Sequence, residues 1–409
     1  MMGIGRRCGG LAWLGLLALA LTSAAISAEA QPAPAGYVSV VADHFPNRDA
    51  TELRARVFAG QTIDAGSRLR LIASGFVEGL VADRRRSTIT DGVAEAHELT
   101  ATVRTKRFDL AAGLGRVVWG RLDELQPTDV VNPIDVSRFF FEGRGEARVA
   151  VPLVRGTLYA GQRVSIEGVY VPFFRRGRFD RLAEASSPFA LAPDVPVLDR
   201  LPARTVGNAQ GGARASFTTG RVDWSLSAYR GFRPFGIYAA AGPFAVERVY
   251  PRFTMAGADF ETVAGAWVVR GELAAFTRDA FQAPAAAVLL TGRSFDAGAG
   301  VDRKAGEYRV SGHVLVHREE YEGGSSGRTD VSLIVSADRT FSRQKYEGRL
   351  FGVYNPASGA AFVRGVGRAA LRDNVALEGS LGWFGRTGVD TIGRFSESDF
   401  AYLRLKYFF

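Results

Sequence analysis

From residue 36 onward, apolar and polar side chains alternate at a spacing of two, in one segment after another. In EYRVSGHVLVH (307–317), Glu307, Arg309, Ser311, His313 and His317 take one side, and Tyr308, Val310, Val314 and Val316 the other. VALEGSLGW (375–383) sets Glu378 and Ser380 against Val375, Leu377, Leu381 and Trp383. GAWVVRGELAAF (265–276) sets Arg270 and Glu272 against Trp267, Val269, Leu273 and Ala275. Successive side chains of a strand point to opposite faces, so the pattern demands sheets with one apolar and one charged face.

A soluble sandwich also alternates, but it hides its apolar face. Three features favour a closed transmembrane barrel instead. The strands run to about ten residues, the connections alternate between short and long, and the 48 glycines suit twisted, curved strands. Short turns are expected at TTGR (218–221), DRKAG (302–306), DRTFSRQ (338–344) and RDN (372–374). Long loops are expected near 173–210, 231–247, 277–293, 320–328 and 384–398. The final FAYLRLKYFF places Phe409, Tyr407, Leu405, Leu403 and Ala401 on one face, with Arg404 and Lys406 on the other. It resembles the C-terminal signal read by the outer-membrane insertion machinery, with Tyr407 and Phe409 in the signal positions. The fold class expected is all-β: an antiparallel barrel of about sixteen to eighteen strands, with both termini at the periplasmic end.

The first thirty residues look like an export signal. Arg6 and Arg7 precede the apolar run Leu11–Leu21, and Ala28-Glu29-Ala30 fits a small-x-small cleavage site. The chain then divides into a signal at 1–30 and a barrel at 31–409, in which 31–50 is either a periplasmic segment or the first strand. The one cysteine, Cys8, falls inside the signal. Disulfides, thiolate catalysis and cysteine metal sites are thereby excluded from the exported part. A net charge of +9 brings nucleic acid to mind. Export argues against that, and lipopolysaccharide phosphates, anionic solutes or lumen chemistry account for the charge better.

The charged face supplies the candidate site. Arg270, Glu272, Arg309, His313, Arg349, Arg364 and Arg368 are the expected pore-lining residues. A barrel this wide is not filled by side chains alone, which leaves a wet channel narrowed by infolded loops. Candidate constrictions are 121–144 and the proline-containing 173–210. His313 and His317 share a face, but their Cα atoms are roughly 13 Å apart, too far for one zinc ion. Histidine is otherwise present only at His44 and His97, none in a nucleophile setting, so an enzyme is not the expected reading. The arginine runs DRRR (83–86) and FFRRGR (173–178) are expected in outer loops, suited to lipopolysaccharide phosphates or anionic solutes. No cofactor or metal is expected.

VVWGRLDELQPTDVVNPID (117–135) breaks the alternation with four acids. Calcium would take such carboxylates, but Asp123, Asp129 and Asp135 stand six apart without the glycine turn of a compact calcium loop. Pro127 and Pro133 fix local geometry, while Asn132 and Asp135 suit side-chain-to-backbone turns. FDLAAGLGRVVWG (108–120) reads as a strand and GEARVAVPLVRGTLYA (145–160) as its return, so the segment is a shaped loop between them. Asp123, Asp129, Asn132, Pro133 and Asp135 are the constriction candidates, with Trp119 anchored at the membrane interface.

Trp119, Gly120, Asn132, Pro133, Asp135, Gly145, Glu146, Tyr170 and Pro172 resemble a WG…NPxD pattern of a proteobacterial family of porin-like outer-membrane barrels of unknown function. The match covers about sixty residues. It implies an outer-membrane barrel without catalytic residues and leaves the solute undefined. Together these readings point to a passive porin-like channel in the outer membrane. A plugged structural or assembly barrel with a periplasmic partner is the alternative, and an outer-membrane enzyme a more distant one.

Overall fold

A computed structural model describes residues 35–409 except 86, 192–194, 243–244, 284–287, 324–326, 389 and 391. The expected export signal and Arg86 of the DRRR run therefore lie outside the described residues. The alternating segments form eighteen strands. They are β1 (Ala35–Phe45), β2 (Ala50–Ala65), β3 (Leu69–Arg84), β4 (Ser87–Arg104), β5 (Phe108–Gly115) and β6 (Val151–Tyr159). Next come β7 (Val164–Val171), β8 (Gln210–Thr219), β9 (Val222–Phe232), β10 (Arg252–Ala264), β11 (Trp267–Gln282) and β12 (Leu289–Ala305). The last six are β13 (Tyr308–Tyr321), β14 (Arg328–Phe341), β15 (Tyr346–Tyr354), β16 (Ala361–Arg372), β17 (Val375–Gly385) and β18 (Phe400–Phe408).

Each strand pairs antiparallel with the next, and β1 pairs with β18 over Tyr37–Phe408 to His44–Ala401, which closes the sheet. Closure removes the unpaired edges that a membrane interior cannot satisfy. Among the described residues no helix is long and apolar enough to cross a membrane, so spanning falls to the strands.

The start of β1 and the end of β18 lie at the end with the short turns. There β2–β3, β4–β5, β8–β9, β10–β11, β12–β13 and β16–β17 join directly. All four turns expected from the sequence are at this end. The opposite, loop end carries 116–150, 172–209, 233–251 and 386–399. Two expected long loops shrink. β11 and β12 extend into 277–293 and leave only 283–288, and the 320–328 loop reduces to 322–327. Gly145–Ala147, expected to begin a strand, is helical instead, and β6 starts at Val151. Short strands Val197–Arg200, Ile237–Ala240 and Val246–Val249 pair into a small separate sheet among the loops.

The two faces sort as the alternation requires. On β2, Leu53 and Val57 are exposed outward, whereas Glu52 and Arg54 are buried inward. The inner face is not uniformly charged, however. Toward the loop end its positions become aromatic: Phe45, Phe351, Phe362, Phe384 and Phe400 pack around Phe140, Phe141 and Phe189 of the inserted loops. A second apolar cluster gathers Trp119, Val131, Val171, Tyr229, Phe253, Met255 and Phe276. The barrel is wider than its own wall side chains can fill, and inserted loops supply the remaining interior.

Candidate functional site

Segment 116–150 leaves β5 and folds into the lumen before returning as β6. Its two ends are held together by one side chain. The Asn132 amide accepts from the Val117 N–H at 2.7 Å and donates to the carbonyls of Gly115 at 3.2 Å and Val149 at 2.9 Å. Next to it the Pro133 carbonyl accepts from the Val149 N–H at 2.8 Å. Buried backbone groups must be paired, and a short amide with both a donor and an acceptor does this where the chain is not in a ladder.

Trp119 is fully buried inside the barrel, with its indole N–H donating to Glu167 at 2.7 Å and its ring edge-on to Tyr229. It is not an interface anchor: its partners are an inward-facing carboxylate and an inward tyrosine of the wall. Gly120 has φ +89°, and a Cβ there would fall 2.7–2.8 Å from the Glu272 carboxylate. That carboxylate accepts from the Leu122 N–H at 2.7 Å, the Thr128 N–H at 3.2 Å and the Thr128 hydroxyl at 2.9 Å. Glu272 therefore points inward but is covered by the segment and does not face open lumen.

The four acids of 117–135 each find cations. Asp129 accepts from Arg144 and Arg148 at 3.1 and 2.7 Å. Asp123 meets Arg309 at 3.1 Å, Arg270 at 3.8 Å and the buried His313 at 3.9 Å. Glu124 pairs with Arg349. Asp135 caps helix α1 (Val136–Glu142), accepting from the Arg138 N–H and the Ser137 hydroxyl, and pairs with Arg178 at 2.9 Å. An acceptor at the N-cap satisfies an otherwise unpaired helix N–H. Burial pushes the Asp135 carboxyl up to about 6, against the opposing pull of Arg178 and Arg181. A shorter helix, α2 (Arg144–Ala147), follows.

Arg364 donates to the Phe141 carbonyl at 2.8 Å, at the C-terminal end of α1. Arg270, Arg309, Arg349 and Arg364 thus contact segment 116–150, whereas Arg368 stands 4.0 Å from Glu347 with about half its side chain exposed. His313 is covered like Glu272, and neither ring nitrogen is in a hydrogen bond. Among the described residues no group of three or more His, Cys, Asp or Glu could hold a metal ion.

Segment 172–209 also folds inward. Arg175 and Arg178 pair with Glu95, Arg176 with Glu184, and Asp180 with Arg54, while Phe189 enters the aromatic cluster. The arginines of FFRRGR are therefore internal braces and not an outer phosphate-binding patch. Arg84 of the other run lies in β3 and pairs with Glu52.

α1 stands between two cavities of unlike chemistry. The loop-end cavity has a volume of about 500 Å³ and is lined by Phe139 and Phe140 of α1 together with Phe179, Phe235, Phe351 and Phe362. The turn-end cavity, about 370 Å³, is lined by Phe141 and Glu142 of α1 with Arg349, Arg364, Arg368 and Lys406. The charged cavity was legible from the alternation. The apolar one was not anticipated, although its signal is present. Phe351 shares the parity of Arg349, and Phe362 that of Arg364 and Arg368, so both had to point inward.

These features define a class: a closed eighteen-stranded antiparallel barrel of the outer-membrane porin type, with its lumen partitioned by inserted loops. No protein-family model matches the chain, and no curated protein matches it. Among solved structures it is similar to OccK5 (OpdH) of Pseudomonas aeruginosa, with a TM-score of 0.51 and 11% identity over 92% of this chain and 96% of that one. OpdK of the same organism, crystallised with vanillate, gives a TM-score of 0.49 and 12% identity over 92% and 98% of the two chains. The likeness to OccK5 is one of fold.

Proposed function

We propose that the protein is a passive channel of the outer membrane, reached through an export signal and inserted through its C-terminal strand. The observation that carries the reading is the partition itself. A barrel with an apolar outer wall holds two solvent-sized cavities in series, separated by one short helix suspended from a loop. A purely structural barrel needs neither cavity. The constriction is 121–144, and solutes pass α1 between the apolar and the charged chamber. The WG…NPxD resemblance points to the same class of porin-like barrels. Contacts with lipopolysaccharide and with the insertion machinery belong to this reading too.

The dense pairing of 116–150 with the wall favours one rival, a plugged barrel that opens only with a periplasmic partner. Planar-bilayer recording of the purified protein separates the two. The channel reading expects stepwise conductance from the protein alone, and a deletion of 121–137 that raises conductance or alters ion selectivity. A folded protein that stays silent, with or without the deletion, would sink it.

A further inference from the structure

The loop-end cavity has charged groups at its rim, and their disposition decides what the cavity accepts. Its walls are Phe139, Phe140, Phe179, Phe235, Phe351 and Phe362, with aliphatic side chains between them. Two of its guanidiniums are already matched. Arg176 donates to both oxygens of Glu184, and Arg248 to both oxygens of Asp199. Fork-to-fork pairing uses the directional donors with which an arginine would otherwise grip a carboxylate. The third, Arg394, interacts electrostatically with Glu319, Asp390 and Asp330 as well as with Arg328.

The neutral polar groups are matched as well. The Tyr238 hydroxyl donates to the Leu191 carbonyl at 3.2 Å, the Tyr250 hydroxyl to Asp199 at 3.0 Å, and the Gln282 amide accepts from and donates to the Tyr238 backbone.

From this we infer that the loop-end cavity is a binding site for small uncharged aromatic molecules, with Glu184 and Asp199 acting as specificity-determining residues that mask Arg176 and Arg248 against anionic solutes. The inference rests on the channel reading only in naming this ligand as a solute in transit. The size is suitable: a dry apolar cavity of roughly 150 Å³ takes one benzene ring, and small-molecule sites run from roughly 300 to 1,000 Å³. At about 500 Å³ the cavity accommodates a one- or two-ring compound, not a long chain. Ring walls offer edge-to-face contacts to such a guest. An anion entering would leave water and meet Arg176 and Arg248 with their bidentate faces already occupied, which costs affinity.

The test uses the full chain in lipid nanodiscs, with empty nanodiscs as the partition control. Calorimetric titration with indole should give saturable binding above the control. Benzoate, of similar size but charged, should bind at least about tenfold more weakly, a difference of about 1.4 kcal/mol. Asp199→Asn removes the partner of Arg248 and should raise benzoate affinity several-fold. Phe235→Gln on the loop 233–251 and Val353→Gln on β15 should each weaken indole, so that misfolding of one leaves the other to report. Benzoate binding as tightly as indole, or no change in benzoate affinity in a folded D199N protein, overturns the inference. Conductance of the same preparation is read in parallel. A conducting protein without saturable indole binding defeats this proposal alone, and a binding but silent protein defeats the channel reading alone.

Discussion

Asn132 shows how one side chain holds segment 116–150 in place. Its amide satisfies Val117, Gly115 and Val149 at the neck of segment 116–150. Asn132→Ala strands three buried backbone groups, each costing about 1–3 kcal/mol when left unpaired. The three losses together, about 3 kcal/mol or more, shift the docked–undocked balance by well over tenfold. Trypsin should therefore cut the reconstituted variant within 116–150 at least about tenfold faster than the parent; equal rates would show that the neck is held by something else. Sequence reasoning reached this residue because asparagine and proline before a capping aspartate are turn chemistry. It misplaced Trp119, because an indole at the end of a strand suits either a lipid interface or an interior. The deciding partner, Glu167, is 48 residues away. The alternation likewise names Glu272 as inward but cannot reveal that the loop covers it.

At the scale of elements, the strands and the two infolding segments were legible, but the partners that hold those segments inside were not. Periodicity of two is a local property carried by each segment, whereas loop insertion depends on pairings far apart in sequence. FFRRGR illustrates this, since an arginine run has the same composition on a surface as in a buried network. The helix α1 is another case, set by the Asp135 cap and by what its end meets. Glu142 pairs with Arg138 at 2.7 Å, Arg56 at 3.2 Å and Arg404 at 3.4 Å. Burial pushes the Glu142 carboxyl up, but Arg56, Arg404 and Lys406 outweigh it and hold the group below the ordinary glutamate value. A lowered value means that the undocked form takes up protons first as the pH falls. Docking of α1 is then at full strength above the ordinary value of 4.5 and weakens as the pH drops through the lowered one. Channel current should rise or become noisy on acidification below about pH 4.5. Glu142→Gln should show raised current already at pH 7 and a smaller acid step. A variant with parental current and an unchanged acid step would remove α1 docking as the cause.

For the whole molecule, the distinction between wall and filling governs how the protein fails. Substitutions in 116–150 act on the passage and leave the ladder of the wall intact, whereas changes at the seam act on the barrel itself. The seam joins β1 to β18 and ends in a reciprocal pair: Gly36 N–H to the Phe409 carbonyl and Phe409 N–H to the Gly36 carbonyl, both at 3.1 Å. Gly36 is required there by close approach. A Cβ would lie 2.5 Å from the Phe58 carbonyl and 2.6 Å from the Phe409 ring. Phe409 and Tyr407 are exposed on the outer wall, so the terminal aromatic proposed as an insertion signal also stands where it seals the last turn of the sheet. The two roles separate experimentally. Deleting Phe409 removes two seam hydrogen bonds, about 1–3 kcal/mol in all, and should reduce the folded fraction after refolding into detergent, where no insertion machinery is present. Gly36→Val leaves the terminal signal untouched and should lower the same fraction through the clash. Migration of unheated against heated protein in a denaturing gel measures both. If both variants refold like the parent in detergent and only the deletion fails to reach the membrane in cells, Phe409 serves recognition and the seam closes without it.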